Sequence, residues 1–377
     1  MDDAFGRGIG RVTSLPRPRI AFVVNGDPDS AMAERAAAFA RRLAGRLDIH
    51  TLYRRGGTAA SAPRMLRQLV AVSPAACYVF DMAAAGVAAA GAYRHSTGTP
   101  FVVDTGDAIV ELGRALGRGP AGMAATRGLE AYALRAAAAV VVRGSVHQDL
   151  LARRGIRSEF IPDGVTVDRF ALPPVGREVG TPLTIGLVGS SVWVSARQTC
   201  YGWELVELIR LLKDRPIRGV MIGDGNGIDI LRRRCREYGI ADRVEFAGRV
   251  AYADLPPLLH RLDVCLSTQT NDAIGNVRTT GKLPLYLAAG RFVLASRVGE
   301  AARVLPPEML VDFRGSADPA YPTRLADRVC DLLARGTEFS HRPECVALAR
   351  RHFDYDLLAS RVATVLSAVA SGRWRRR

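Results

Sequence analysis

The sequence predicts an α/β protein built from two doubly wound, Rossmann-like domains that face each other across a cleft. Short apolar runs alternate with helical segments throughout both halves of the chain. Several of these runs end in Gly, Asn or Asp, as buried parallel strands do where they enter a turn. A Pro- and Gly-rich stretch without periodicity, residues 172–182, separates the two halves. At 377 residues, the chain is long enough for each half to bury its own core.

The first predicted domain spans residues 1–175. It opens with a continuous apolar strand at 20–24, followed by a helix at 31–47 with apolar residues at four-residue spacing. Ser145 is predicted to cap the last long helix of this domain. The other predicted elements are strands at 51–53, 77–80, 101–104, 140–142 and 160–162, and helices at about 64–72, at 128–137, at 146–153 and in the Ala-rich segment ending near 93.

The second predicted domain spans residues 176–377, with a C-terminal helix free to pack back on the first domain. Its pattern repeats the alternation of strand and helix, and glycine turns follow several of the strands. Asp254 is predicted to cap a helix that has Pro256 in its first turn. The predicted strands are 183–188, 219–222, 244–246, 264–266 and 292–295, and the predicted helices are 203–212, 228–238, 255–261 and 283–288.

The chain carries a formal net charge of +15, which suggests nucleic acid, an anionic membrane surface or an acidic small molecule as partner. Arginines cluster at 41–67, at 232–236 and at the C-terminus. The first two clusters have no interleaved aromatic platform, and no helix-turn-helix, zinc-finger or RRM pattern is present, so nucleic acid is disfavoured. A solvated Arg-rich face and contact with anionic lipid head groups both stay open.

The remaining composition predicts a cytoplasmic protein, with peripheral contact to a membrane surface left open. The apolar runs are too short to span a bilayer, and the first 18 residues lack the apolar core of a secretory signal. Six scattered cysteines form no C-x-x-C pair, and the six histidines show no pairing typical of a metal site. We therefore expect no metal and no bound cofactor.

Lys282 is the most informative single residue in the chain. It is one of only two lysines, the other being Lys213, whereas the other 50 basic residues are arginine. Lysine is a compact point charge that fits against a phosphate in a tight turn. Lys282 precedes an apolar passage from helix to strand at 283–296, which is where a nucleotide diphosphate would dock in an α/β domain.

Several segments, taken in order, resemble the large retaining glycosyltransferase family with the two-Rossmann GT-B architecture. The segment I-P-D-G-V at 161–165, with Phe170 beyond it, resembles a conserved segment of that family, and 138–151 resembles its preceding strand and helix. The second domain adds the glycine turn at 186–189, I-G-D-G at 222–225, V-E-F-A-G-R-V at 244–250, L-P-P-L-L-H-R-L-D-V at 255–264 and K-L-P-L-Y-L-A-A-G-R at 282–291. The resemblance implies a nucleotide-sugar co-substrate, a sugar or lipid-linked acceptor, and transfer with retention.

The chain departs from the family pattern at positions that matter for donor binding. The resemblance places the family's two donor glutamates at Val277 and Leu285, and its basic residue before a glycine at Tyr201. The family's loop histidine is also missing, since Gly106 precedes Asp107. Four interpretations stay open: a divergent glycosyltransferase, a nucleotide-sugar epimerase of the same fold, a non-catalytic binding or scaffold protein, and a nucleic-acid binder.

The candidate site residues follow from residue type and from the resemblance. Cations would stabilise the departing diphosphate, carboxylates at a strand end would hold a hydroxyl, and glycines would let backbone approach the donor. The bland alternatives are a surface ion pair for Arg278, a helix cap for Asp107 and ordinary turns for the glycines. The catalytic candidates are Lys282, Arg278, Asp107 and Asp104; the donor-binding candidates are Gly189, Ser190, Arg197, Gly223, Gly225, Gly248, Thr279, Thr280, Gly299 and Glu300; the acceptor-side candidates are Asn25 and Gly26.

Overall fold

A computed structural model describes residues 17–171, 180–195, 198–339 and 341–374 of the protein. It contains two six-stranded sheets, and every strand pair in both is parallel. Helices connect the successive strands, as parallel sheets require. The predicted pair of doubly wound α/β domains is thereby confirmed. Residues 172–179, within the predicted linker, lie outside the described residues.

The first sheet has the strand order β2-β1-β3-β4-β5-β6. Its strands are nearly continuous apolar runs because helices cover both faces. The elements are β1 (Arg19–Val24), α1 (Ala31–Leu43), β2 (Asp48–Tyr53), α2 (Thr58–Val72), β3 (Ala76–Phe80), α3 (Ala84–Thr97), β4 (Phe101–Thr105), α4 (Ile109–Ala115), α5 (Pro120–Ala136), β5 (Ala139–Val142), α6 (Ser145–Arg153), β6 (Glu159–Phe160) and α7 (Val167–Phe170).

The second sheet has the order β12-β11-β10-β7-β8-β9, which is the Rossmann order 3-2-1-4-5-6 read from its other edge. Its elements are β7 (Leu183–Val188), α8 (Trp203–Leu211), β8 (Ile217–Ile222), α9 (Ile228–Glu237), β9 (Val244–Gly248), α10 (Leu255–His260), β10 (Val264–Ser267), α11 (Ala273–Asn276), α12 (Lys282–Ala288), β11 (Phe292–Ser296), α13 (Gly299–Val304), β12 (Leu310–Val311), α14 (Tyr321–Ala334), α15 (Pro343–Phe353) and α16 (Tyr355–Ala370).

The last helix, α16, crosses back and packs on the first domain. Tyr355, Leu358 and Val362 join the apolar layer between α1 and the first sheet. The Tyr355 ring meets the Phe39 ring edge to face, with centroids 5.5 Å apart. The two domains are therefore tied at a second place besides the linker.

Three local predictions differ from the structure. Helix α2 begins at Thr58 and accommodates Pro63 near its start, where only one intrahelical hydrogen bond is lost. Gly144, and not Ser145, occupies the N-cap of α6. Asp254 stands at the N-cap of α10 but makes no capping hydrogen bond through its side chain.

Candidate functional site

The topology of the two sheets predicts where ligands bind. In a doubly wound sheet the crevice lies beyond the carboxyl ends of the strands, where the chain reverses its winding direction. In the first sheet this point lies between β1 and β3, and in the second it lies between β7 and β10. Across the domains, the segment that follows β10 and the loop after β11 contact the loops after β4 and β5, as described below, and these contacts border one cleft.

Lys282 begins α12 at the edge of this cleft. Its Nζ lies 3.4 Å from the centroid of the Tyr201 ring, which is a close cation–π contact. Gly189 permits this position, because a Cβ at residue 189 would lie 2.7 Å from Lys282 Cε. Burial lowers the pKa of Lys282 to about 8, with Glu204 opposing the shift and Arg278 adding to it. Lys282 is thus a half-buried ammonium whose charge is readily available to an anion.

Tyr201 and Glu204 form the support beneath this ammonium. The Tyr201 hydroxyl donates to the Leu266 carbonyl over 3.3 Å, which ties it to the end of β10. Glu204 is almost fully buried and accepts a hydrogen bond of 3.0 Å from the Gly202 amide. Burial raises the pKa of Glu204. An aromatic face therefore occupies the position where the sequence resemblance expects a second basic side chain.

Two predicted donor glycines pack against protein backbone. A Cβ at Gly223 would lie 2.1 Å from the Gly189 carbonyl oxygen, and one at Gly225 would lie 2.4 Å from that of Ser191. Both residues have positive φ, 141° and 135°. Their small size is needed for the loop after β7 to lie along the loop after β8. Gly223 and Gly225 thus shape the loop that borders the cleft, and their expected place beside the nucleoside stays a prediction.

Three other donor candidates keep groups available for a ligand. Gly248 has φ of 72°, and nothing lies within 4 Å of the position a Cβ would take. Ser190 is exposed at the end of β7. Thr280 has a buried hydroxyl without a hydrogen-bond partner in the described part of the chain. The remaining candidate of this group, Arg197, lies outside the described residues.

Four predicted residues meet the opposite domain or the loop beside it. Arg278 forms an ion pair with Asp107 across the cleft, so two catalytic candidates are already in contact. The Thr279 amide donates to the Arg143 carbonyl over 3.2 Å.

The loop after β11 makes a second contact with the first domain. Glu300 accepts a hydrogen bond of 2.6 Å from the amide of Ser145, the residue predicted to cap α6. Gly299 has φ of 54° and precedes Glu300, and a Cβ at residue 299 would lie 3.2 Å from the Asn276 carbonyl oxygen.

The positions of the two missing donor glutamates are part of the apolar core. Val277 is 1% exposed and Leu285 is 8% exposed. Val277 presents its carbonyl to the first domain, and a Cβ at Gly144 would lie 2.2 Å from that oxygen. Both positions where the resemblance expects carboxylates for the donor therefore hold buried apolar side chains. At Val277 the backbone also contacts the first domain.

A buried charge network lies beneath the first-domain side of the cleft. Asp104 is fully buried, with Oδ2 2.9 Å from Arg35 Nε and 3.0 Å from the Tyr78 hydroxyl. Arg143 reaches Asp104 at 3.4 Å and Asp163 at 3.6 Å, and also pairs with Asp81. The expectation that Asp104 handles a substrate hydroxyl is wrong, because no part of its side chain reaches the cleft. Asp104 holds the domain together instead.

The two acceptor-side candidates also have structural partners. Asn25 donates from Nδ2 to the carbonyls of Phe80 and Asp81, both over 3.0 Å, and its Oδ1 accepts from the Gly86 amide over 2.8 Å. A Cβ at Gly26 would lie 2.4 Å from Ser30 Oγ. Asn25 uses its amide to hold the end of β3, which corrects its expected direct contact with the acceptor, whereas the contact expected of Gly26 stays a prediction.

Among the described residues, no group of three or more His, Cys, Asp or Glu side chains is arranged to hold a metal ion. The expectation that the protein needs no metal remains a prediction. Within the same part of the chain, every helix is too short or too polar to cross a bilayer.

Comparison with known proteins finds a match in the second domain. Residues 183–335 match the protein-family model described as "Glycosyl transferases group 1". This part of the chain is similar to a group 1 glycosyltransferase domain. A GDP-mannose-dependent α-(1-6)-phosphatidylinositol monomannoside mannosyltransferase of Mycobacterium tuberculosis is 31% identical over 185 residues, which are 46% of this chain and 46% of that protein. The chain thus matches about half the length of this curated relative.

Solved structures confirm the predicted GT-B fold of the whole chain. The structure of Anabaena HepE in complex with UDP and glucose aligns with a TM-score of 0.71 at 16% identity. The alignment covers 93% of this chain and 100% of the HepE chain. Sucrose-phosphate synthase from Thermosynechococcus elongatus has a TM-score of 0.74 at 15% identity, covering 94% and 100%. A putative UDP-N-acetylglucosamine 2-epimerase from Listeria monocytogenes also has the fold, with a TM-score of 0.62 at 12% identity, covering 96% and 100%. The fold alone therefore does not separate transferase from epimerase.

Sequence reasoning found the cation of the second domain and missed the buried charges of the first domain. Lys282 stood out because lysine is rare in the chain. Asp81 was not selected, although it directly follows a buried strand and has the positive φ of 66°. Arg143 also follows a buried strand, and that signal could have marked it. Arg35 is one arginine among many, and nothing in the sequence marks it as buried.

Proposed function

We propose that the protein transfers a sugar from a nucleotide-sugar donor to an acceptor hydroxyl held between its domains. The observation that carries this proposal is the half-buried Lys282 ammonium at the switch point of a group 1 glycosyltransferase domain. A cation held there by the Tyr201 ring can stabilise the charge that develops on a departing diphosphate. The resemblance to retaining enzymes supports retention as the stereochemical course.

Arg278 supplies the second positive charge in this proposal. It lies across the cleft from the first domain and is partly exposed, with 34% of its side chain accessible. Its partner Asp107 is also partly exposed, so the pair can exchange for a contact between Arg278 and the donor diphosphate. The contacts through Thr279 and Glu300 hold the cleft closed around the reactants, which excludes water and orients them.

The donor base, the donor sugar and the acceptor are proposed only as classes. The mycobacterial relative is named for GDP-mannose, whereas HepE was solved with UDP and glucose. Both support a nucleotide-sugar donor without selecting one base. We further propose that the acceptor is a sugar or is lipid-linked. We also propose that the arginine-rich α1–α2 surface makes peripheral contact with an anionic membrane, and vesicle flotation at low and high salt would test this contact.

The Lys282→Ala variant is expected to lose nucleotide binding. Thermal unfolding is measured against UDP, GDP and ADP and their common sugar conjugates. A ligand present at about 100 times its Kd adds about 2.7 kcal/mol to the stability of the folded state, which raises Tm measurably. We expect one nucleotide to raise the Tm of the wild-type protein, and Lys282→Ala to abolish that rise.

Lys213→Ala is the matched control for this experiment. Lys213 is the other lysine of the chain and is exposed after α8, away from the cleft. It should retain the full nucleotide-dependent shift. If no nucleotide shifts the Tm of the wild-type protein, the transferase proposal fails and the non-catalytic interpretation of Val277 and Leu285 takes its place.

Nucleotide binding is expected to weaken as the pH rises above about 8. The pKa of Lys282 in the free protein is about 8, so the ammonium is charged below this pH and neutral above it. If only the charged form binds the diphosphate, Kd should rise about tenfold for each further pH unit. Calorimetric titrations from neutral to alkaline pH measure this slope. Lys282→Ala should show no such slope, and a flat profile in the wild-type protein would contradict the assignment.

A further inference from the structure

A cavity lies within the second domain, between α8, the start of α14 and the loop that joins β12 to α14. Its volume is about 560 Å³, which lies in the range of ~300–1,000 Å³ typical of small-molecule sites. None of its described lining residues belongs to the first domain, to α12 or to α13. The cavity is therefore separate from the cleft between the domains.

Tyr201 stands between this cavity and Lys282. It lines the cavity, and its ring also holds the Lys282 Nζ, which is 3.4 Å from the ring centroid. Its hydroxyl is tied to the Leu266 carbonyl over 3.3 Å, so the ring is held in place. Lys282 is not among the lining residues that the structure describes. A molecule in the cavity therefore contacts Tyr201 without contacting the ammonium.

The lining combines a largely apolar surface with a few polar groups. Its apolar and aromatic members include Val194, Trp203, Leu211, Phe313, Pro319 and Pro322. Such a surface favours a molecule with an aromatic or otherwise apolar body, because burial of that body removes apolar area from water.

Three lining side chains contain buried oxygen atoms that lack a hydrogen-bond partner among the residues described. These atoms are Oε1 of Glu204 and the hydroxyl oxygens of Thr199 and Thr268. Glu204 is 1% exposed, and its other oxygen, Oε2, accepts from the Gly202 amide over 3.0 Å. Buried polar atoms of native proteins nearly always have a partner, so three unpaired oxygens around one cavity indicate a missing hydrogen-bond donor.

The other two carboxylates of the lining already have hydrogen-bond partners. Glu207 accepts from Arg210 Nε over 2.7 Å, and Asp318 accepts from the Arg314 amide over 2.6 Å. Glu204 is thus the carboxylate of the lining that is placed to take a hydrogen bond from an occupant.

The charged groups around the cavity balance one another. Within the described lining there are three carboxylates and two guanidinium groups: Glu204, Glu207, Asp318, Arg210 and Arg234. The Lys282 ammonium lies beyond Tyr201 and supplies a third positive charge. A ligand with a net charge of either sign would disturb this balance, whereas a neutral N–H or O–H group can donate to Glu204 without disturbing it.

We propose that this cavity is a second ligand site, separate from the donor cleft, and that it takes an uncharged aromatic molecule with an N–H or O–H donor. The donor binds Oε1 of Glu204, and the aromatic body packs against Trp203 and Phe313. This inference goes beyond the proposed glycosyl transfer and does not depend on it.

Indole and benzofuran are the probes, because they have nearly the same shape and differ in the N–H donor. Ligand-observed NMR titrations on the full-length protein measure the affinity of each. We expect indole to bind about tenfold tighter than benzofuran, the lower range for a hydrogen bond to a charged group. Equal affinities would show that water satisfies the unpaired oxygens and would overturn the donor contact. Absence of binding by both probes would overturn the site.

The Ala317→Trp variant tests the location of the site. Ala317 lines the cavity and is exposed, so a larger side chain there fills the space without disturbing the core. We expect this variant to lose indole binding. Ala334→Trp is the matched control, because Ala334 is an exposed alanine at the other end of α14 and outside the lining. Unchanged indole binding in Ala317→Trp, or equal loss in both variants, would contradict the proposed location.

The Glu204→Gln variant tests the contact with the donor group. The advantage of indole over benzofuran should disappear, because a neutral amide oxygen is a weaker acceptor than a carboxylate. An unchanged ratio of the two affinities would contradict the role of Glu204.

Nucleotide binding separates this site from the donor cleft. A nucleotide that raises the Tm of the wild-type protein should also raise that of Ala317→Trp, and it should not displace indole. Displacement would assign the cavity to the donor site and overturn the inference. Indole binding by a protein that no nucleotide stabilises would support this site while the proposed transfer fails.

Discussion

Replacing Asp104 with alanine is expected to lower the free energy of unfolding by about 3–5 kcal/mol, the cost of removing one partner from a buried ion pair. Asp104 is fully buried, as is Arg35, whose Nε lies 2.9 Å from the Asp104 carboxylate. Arg35 also donates to the carbonyls of Ile161 and Pro162, so its guanidinium has no path to water. The variant leaves this charge, together with that of Arg143, without its central counter-ion. Urea unfolding monitored by circular dichroism measures the difference.

Asp312→Ala is the matched control for this stability experiment. The pair between Arg297 and Asp312 has a similar distance of 2.8 Å, but the two side chains are 45% and 65% exposed. Water screens such a pair, so its loss should change stability by less than about 1 kcal/mol. A similar effect for Asp104→Ala and Asp312→Ala would contradict the view that the network is a structural centre of the first domain.

Replacing Gly144 with alanine is expected to lower kcat/KM about 100-fold, because displacement of the domains by about 1 Å is enough for a loss of this size. Gly144 has φ of −133°, which alanine adopts without strain. The obstacle is space, since the new Cβ would lie 2.2 Å from the Val277 carbonyl oxygen and 2.6 Å from its carbon. Neither backbone can yield without separating the domains at the cleft. The adjacent hydrogen bond from Thr279 to the Arg143 carbonyl should be lost as well.

Two measurements check this expectation, namely transfer kinetics and the radius of gyration by small-angle X-ray scattering. The second does not depend on activity and should increase in Gly144→Ala. Gly128→Ala is the control, because Gly128 lies in α5 with nothing within 4 Å of a new Cβ, and alanine there should favour the helix. Wild-type efficiency in Gly144→Ala would show that the contact with Val277 is not needed for transfer.

Residues of the candidate site differ in how far the sequence alone predicts their surroundings. Lys282 could be predicted because its chemistry and its place in an α/β pattern are both visible locally. Asp104 and Asp107 could not be told apart, since both end the same strand region, yet one is fully buried and the other faces the cleft. Gly223 was expected beside the nucleoside, and the structure adds that the residue must be small because it lies against the loop after β7.

The sequence by itself determined the two doubly wound domains and most of their strands, and it singled out Lys282 as the candidate cation. These features depend on apolar periodicity, on turn residues and on side-chain chemistry, all of which act over a few neighbouring positions. Only the tertiary structure decided that Asp104 is a structural charge, that Asp81 belongs to the same charge network and that Tyr201 supports Lys282. Those roles depend on burial and on contacts between residues distant in the chain. Both are set by how the elements pack, which local patterns do not encode.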